Sequence, residues 1–210
     1  MNPITAHPGR KRTDNYNEEV KLEIRRYLIK HIIDSGRKLN VFDACQGDRI
    51  LWTQLEKEFP LESYFGVDTK SQRGRLTIDS SRIIDKLPEE TTFIDIDTWG
   101  SPVPHLLALC KGKTRYDYVG VALTIGMITR RGAGAIPKEI QYLMGLTDNI
   151  RIRMKLQGPL TAKLQKYIYP YILYLPTLHD YDIIDIVEAV PPSRTARYFG
   201  MILQDQRKDT

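Results

Sequence analysis

VFDACQGDRILW, residues 41–52, begins like a strand and ends like a helix. Leu39, Val41 and Phe42 run up to an acid, Asp43. A tight polar turn follows, Ala44-Cys45-Gln46-Gly47-Asp48-Arg49, and a helical pattern opens at Ile50. In an open α/β sheet such a junction lies at the carboxyl ends of the strands, where nucleotide-like ligands bind. Gly47 can take φ > 0 and lets a ligand approach the backbone. The helix after it opens with N–H groups that lack intrahelical partners. Asp43 is expected under the turn, accepting hydrogen bonds from turn amides or from a ligand's amino group. An ordinary strand–turn–helix corner shares this pattern, so its meaning depends on the rest of the chain.

Downstream, the same motif recurs. Tyr64-Phe65-Gly66-Val67-Asp68 reads as a buried strand ending in an acid, about twenty residues past the glycine turn, where dinucleotide folds place a ribose-binding carboxylate. Leu76-Thr77-Ile78-Asp79 and Thr92-Phe93-Ile94-Asp95-Ile96-Asp97 repeat the acidic tip, with N-capping of the Ser80 helix as the alternative reading of Asp79. Tyr118–Ile125 is a near-continuous apolar run, as a central parallel strand requires. Tyr181–Val190 and Arg197–Leu203, joined through Pro191-Pro192-Ser193, suit an antiparallel pair. Helices are expected from Glu18 to a stop at Gly36, with Val20, Ile24, Tyr27, Leu28 and Ile32 as the apolar stripe. Others are expected at Ile50–Phe59, Ser80–Leu87, Pro104–Lys111, Lys138–Leu146 and Leu160–Leu175, the last kinked or broken at Pro170. The alternation predicts a Rossmann-like α/β fold: a seven-stranded, mostly parallel sheet with one antiparallel strand and helices on both faces. Residues 1–17 read as a flexible basic arm carrying Arg10-Lys11-Arg12, and residues 18–210 as a single domain.

Composition narrows the class. A chain of 210 residues with 41% hydrophobic and 27% charged residues has enough to build a sizeable core. No apolar run approaches the ~18–20 residues of a membrane span, and the two cysteines, Cys45 and Cys110, make no metal-ligand spacing. An intracellular, cytoplasmic setting without a bound metal is expected. The net charge of +5 is unevenly spread: residues 111–166 hold eleven Lys/Arg against three Asp/Glu. That asymmetry points to a surface facing a polyanion.

Right-handed crossovers bring Asp43, Asp68, Asp79 and Asp97 to one rim. Carboxylates there suit hydroxyls and amines and repel phosphates, and no Gly-x-x-x-x-Gly-Lys-Ser/Thr turn is present to hold a phosphate. A positively charged nucleoside without a phosphate fits better than a nucleoside triphosphate. The lack of Gly-x-Gly-x-x-Gly after the first strand argues against a nicotinamide-dependent oxidoreductase.

The order and spacing resemble the class I S-adenosylmethionine-dependent methyltransferases, whose seven-stranded sheet ends in an antiparallel strand. Asp43-Ala44-Cys45-Gln46-Gly47 resembles their first motif, Asp-x-x-x-Gly. The resemblance implies that Asp43, Ala44, Cys45 and Gly47 hold the methionine part of S-adenosylmethionine, that Asp68 binds the ribose hydroxyls, and that Asp79 and Ser80 lie near the adenine. Asp97-Thr98-Trp99-Gly100 is similar to the fourth motif of enzymes that methylate base amino groups. The run from Asp95 to Pro102 is locally similar to the tRNA guanine-N2 dimethyltransferases. Asp97, Thr98 and Trp99 are therefore the candidate catalytic group: two acceptors for an exocyclic amine and an aromatic ring to stack on the base, which would first be flipped out of any duplex. Two departures stand out. The first motif has one glycine where the family has two or three, with Cys45 and Arg49 at the other places, and Thr98 replaces a common proline.

Arg130, Arg131, Lys138, Arg151 and Arg153 are the candidate track for the phosphates of RNA or DNA. The expected activity is methyl transfer to an exocyclic amino group of a nucleic-acid base. The alternatives are a small-molecule methyltransferase and a degenerate, non-catalytic binding module, which the single-glycine first motif favours.

Overall fold

The computed structural model describes residues 17–70, 74, 76–98, 101–126, 138–144, 168–189 and 196–208. Seven strands form one sheet: β1 (Asn40–Asp43), β2 (Ser63–Asp68), β3 (Leu76–Thr77), β4 (Phe93–Ile96), β5 (Tyr118–Gly126), β6 (Tyr181–Ala189) and β7 (Ala196–Asp205). Their order is β3-β2-β1-β4-β5-β7-β6. The strands from β3 across to β5 pair in parallel. β7 runs antiparallel to both of its neighbours, from Tyr118↔Gln204 to Gly126↔Ala196 along β5. The expected topology is thus present, with the odd strand one place in from the edge.

Helices cover both faces, and strand alternation sorts the core between them. Val41, Phe93, Ala122 and Ile202 point to a layer containing α1 (Glu18–Asp34) and α2 (Ile50–Leu55). Phe42, Ile94, Val121 and Met201 point to the opposite layer, with α3 (Val103–Lys111), α4 (Lys138–Leu143) and the helical residues 168–174. β1 and β4 are buried along their whole length, with Val41-Phe42 and Phe93-Ile94 each sending one apolar side chain to each layer. In the helical residues 168–174, the Tyr169 ring packs against that of Phe199 with centroids 5.7 Å apart, and Ile168 and Ile172 are buried beside it.

α1 carries Glu18 and Glu19 in its first turn, matching the helix dipole, and it ends at Gly36 with φ +77°. Its buried face is Leu22, Ile24, Arg25, Leu28, Ile29 and Ile32. That face is rotated from the expected stripe: Tyr27 is exposed and Arg25 is inside. Two glycines let the helix lie close to the sheet. A Cβ on Gly120 would stand 3.0 Å from Ile32 Cδ1, and one on Gly200 would stand 3.1 Å from Ile24 Cγ2 and 2.9 Å from Val187 Cγ1.

Several elements are shorter than expected. α2 stops at Leu55 instead of Phe59, and Ser80–Leu87 forms two 3₁₀ turns, Ser80–Arg82 and Ile84–Lys86. β3 ends at Thr77, so Asp79 is no strand tip. Pro170 lies within the helical residues 168–174 without ending them. Asn17, assigned to the arm, is buried and donates from Nδ2 to Tyr198 Oη at 3.4 Å; residues 1–16 lie outside the described residues. No helix among the described residues is long and apolar enough to cross a membrane.

Substituting Gly200→Val should force α1 away from β7 and destabilise the fold by about 1–3 kcal/mol. The expected result is a lower urea midpoint with an unchanged slope; an unchanged midpoint would mean that this contact is slack.

Candidate active site

The turn after β1 is stapled to both neighbouring strands. Ala44 N–H donates to Asp95 O at 2.9 Å, and Gln46 N–H donates to Val67 O at 2.9 Å. Gly47 takes φ +56° and Arg49 φ +57°. Arg49 therefore adopts a left-handed conformation that costs a non-glycine residue about 1–2 kcal/mol. Its guanidinium offsets part of this by lying over the Tyr64 ring, 4.1 Å from the centroid, and by pairing with Glu56. A chain with one glycine in its first motif thus still makes two left-handed turn positions. The Gln46 side chain folds over Gly66, where a Cβ would stand 2.0 Å from Oε1.

Asp43 faces inward, its carboxylate accepting from Tyr64 Oη–H at 2.7 Å and from Cys45 N–H at 3.2 Å. It sits under the turn and organises it. Burial, and then the charge of Asp95, push its carboxyl up to about 8, against the pull of Tyr64 and Arg25. Ala44 is buried beside it. Cys45 stays a thiol, because burial and then Asp43 raise it above the ordinary thiol range.

Asp68 closes β2 half-buried. Its Oδ2 accepts from Gly47 N–H at 3.0 Å and its Oδ1 from Lys70 N–H at 2.8 Å. A carboxylate offers about four acceptor positions, and the described residues leave room for two hydroxyl donors. Asp97 stands one residue past β4. Its Oδ2 takes a hydrogen bond from Lys21 Nζ at 2.7 Å, and Arg25 Nη2 is 3.7 Å away. Burial opposes ionisation there, but Lys21 and Arg25 prevail and hold the carboxyl below its ordinary range.

Beneath both lies a residue that the sequence pattern did not single out. Asp95 is 1% exposed and is gripped by Arg25, itself 2% exposed, through Nε to Oδ2 at 2.7 Å and Nη2 to Oδ1 at 2.6 Å. Trp52 Nε1 adds a bond to Oδ2 at 2.8 Å. Two signals were available. Asp95 and Asp97 are two apart on a strand and so share a face, and Arg25 interrupts the apolar stripe of α1 between Leu22 and Leu28.

The predicted residues divide between the two sides of the sheet. Asp43, Asp68 and Asp97 share the parity of the α1–α2 layer with Asp95. Asp79 does not join them; it caps the Ser80–Arg82 turn, accepting from Ser81 N–H at 3.1 Å and Ser81 Oγ–H at 2.7 Å. Ser80 Oγ meets His105 Nε2 at 2.7 Å on the α3 side. Burial keeps His105 neutral despite Asp79. His105 Nδ1 and Thr98 Oγ1 are buried without a hydrogen-bond partner among the described residues. Trp99, Arg130, Arg131, Arg151 and Arg153 lie outside the described residues, as does the side chain of Lys138, which opens α4.

No family model and no curated protein matches the chain. Solved structures do. Trm1 from Pyrococcus horikoshii, in complex with S-adenosyl-L-methionine, aligns at a TM-score of 0.57 and 18% identity over 92% of this chain and 57% of that one. The plantazolicin methyltransferase BamL, in complex with a triazolic desmethylPZN analog and SAH, aligns at 0.54 and 12% identity over 90% of this chain and 86% of that one. M. jannaschii TYW2, in complex with AdoMet, aligns at 0.53 and 8% identity over 95% and 79%. The fold is that of the class I S-adenosylmethionine-dependent methyltransferases. The strand order and the antiparallel β7 are its frame, and the rim described above lies at the carboxyl ends of β1, β2 and β4 within it. The chain spans 57% of the length of the Trm1 chain.

The Asp43 carboxyl gives a signed pH test. Its folded value of about 8 exceeds the unfolded value of ~3.9, so its contribution to stability is full below ~4 and is lost as pH rises toward 8. Asp43→Asn keeps the shape and removes the titration. Its melting temperature should gain on wild type progressively from pH 5 to pH 8.5; a pH-independent difference would contradict the assignment.

Proposed function

We propose that the chain is an S-adenosylmethionine-dependent methyltransferase that methylates an exocyclic amino group of a nucleic-acid base. The observation that carries this is a charged, partly exposed Asp97 one residue past β4, on the same side of the sheet as Asp68. The donor set suits the cofactor. Asp68 would take the two ribose hydroxyls at its remaining acceptor positions. Asp43, Ala44, Cys45 and Gly47 would shape the turn around the methionine part, and Asp79 and Ser80, with His105 behind them, would border the adenine. His105 Nδ1 and Thr98 Oγ1 are buried polar atoms for which the described residues supply no partner, as expected beside a ligand site.

When bound, the cofactor would supply an electrophilic methyl group whose bond to the sulfonium breaks, leaving its electron pair on a neutral thioether, as the amine nitrogen takes the carbon. The chain's own part is orientation and charge. Asp97 and the carbonyl of Thr98 accept hydrogen bonds from the amine, turning the nitrogen lone pair toward the methyl carbon, and Trp99 stacks on the base. The negative charge of Asp97 offsets the positive charge that develops on nitrogen as the new N–C bond forms. The surplus amine proton then leaves to Asp97 or to water.

The polyanion reading rests on the basic segment 111–166, with Arg130, Arg131, Lys138, Arg151 and Arg153 as phosphate contacts. The test is transfer of labelled methyl from S-adenosylmethionine to total tRNA, rRNA and DNA, fraction by fraction. Asp97→Asn should lower transfer by about 10²–10³-fold while sparing cofactor binding. Asp68→Ala should weaken cofactor binding by about 10–100-fold in calorimetry. Loss of both properties in Asp97→Asn would remove Asp97 from its assigned role. Activity insensitive to salt and to charge reversal at Arg130 and Arg131 would point to a small-molecule substrate.

A further inference from the structure

Lys21 stands one helical turn before Arg25 on α1, so both cations project toward β4. Their tasks differ. Arg25 closes on both oxygens of Asp95, and that pair is buried. Lys21 gives one bond, Nζ to Asp97 Oδ2 at 2.7 Å, and the two side chains keep 17% and 18% exposure. Its ammonium also lies 5.5 Å from the ring centroid of Tyr198, a buried residue on β7. The lysine is therefore braced on the sheet while it reaches the carboxylate.

We propose that Lys21 is a positioning residue for Asp97, fixing the rotamer of the carboxylate and keeping it charged while the target amine binds. This rests on the reading of Asp97 as the amine acceptor. Among the described residues, the groups around Asp97 are Lys21 and Arg25 from α1, Asp95 two residues before it, the Thr124 hydroxyl on β5, and Cys45 in the turn after β1. Asp95 is paired with Arg25 and also accepts from the Trp52 N–H. Arg25 is committed to Asp95 and only grazes Asp97, at 3.7 Å. Among the described residues, Lys21 is thus the cation dedicated to Asp97. Remove it, and burial acts on a carboxylate without its close counter-charge.

The test uses the full chain with Lys21→Met, which keeps the aliphatic stem, Lys21→Gln, which keeps an N–H donor without charge, and Lys21→Arg. In wild type the Asp97 carboxyl, followed by ¹³C NMR, should titrate below the ordinary aspartate range. In Lys21→Met and Lys21→Gln its midpoint should rise by about one pH unit, and Lys21→Arg should restore it. With labelled S-adenosylmethionine and unfractionated tRNA, the acid limb of kcat/KM should move up by the same amount, with cofactor affinity unchanged. A midpoint unmoved in Lys21→Met overturns the proposal. So does a rise in its activity, which would make Lys21 a blocker of the amine position. If wild type transfers no methyl group to RNA or DNA, the proposed function fails, and the NMR midpoint still decides the role of Lys21.

Discussion

One buried ion pair holds this molecule's working edge together. Arg25 on α1 grips Asp95 on β4 through two hydrogen bonds, and Trp52 on α2 supplies a third to the same carboxylate. Helix, strand and second helix thus meet at one acid. Removing one partner of such a pair leaves a bare charge in the interior, at a cost of about 3–5 kcal/mol. The pair also ties sequence-distant segments: the first helix docks on the tip of the fourth strand, beside the turn that follows the first strand. Ala44 N–H bonds the backbone carbonyl of Asp95 itself, so the glycine turn takes its position from the same residue.

The electrostatics of the rim follow from that arrangement. Three carboxyl groups, those of Asp43, Asp95 and Asp97, crowd together on the α1–α2 side, and two cations from α1 reach them. Asp95 receives Arg25 in full, and Asp97 is held charged by Lys21 with help from Arg25. Asp43 is left with neutral donors, a phenol and an amide, and its carboxyl is pushed up to about 8, by burial first and Asp95 second. Acids of similar appearance in the sequence therefore do different work. Asp43 shapes a turn, Asp95 locks a helix, Asp97 presents charge at the edge, and Asp68 keeps acceptor positions open.

Much of the architecture was legible in the chain, because period and punctuation mark a buried parallel sheet plainly. The apolar run Tyr118–Ile125 became a nine-residue strand, and the Pro-Pro-Ser connection joins an antiparallel pair. Element lengths were less legible. Ile50–Phe59 has helical spacing, yet only six residues hold the helix, which starts from a left-handed Arg49. Asp79 looked like a strand tip because Leu-Thr-Ile precedes it; its local bonds to Ser81 make it a cap instead. At the site, the acids on strand ends stood out, whereas their partners did not. Lys21, Arg25, Trp52 and His105 are read as surface or core residues until the fold brings helices to the strand tips. An arginine in the middle of an apolar helical stripe, facing a strand with acids two apart, is the pattern that would have revealed the pair.

The most direct measurement is a crystal structure of the chain grown with S-adenosylhomocysteine. The ribose hydroxyls should lie on Asp68 and the amino-acid portion against the turn from Ala44 to Gly47, with the Arg25–Asp95 pair intact beneath. A nucleoside bound on another face, or a rim whose carboxylates make no contact with it, would show that this rim is not the cofactor site.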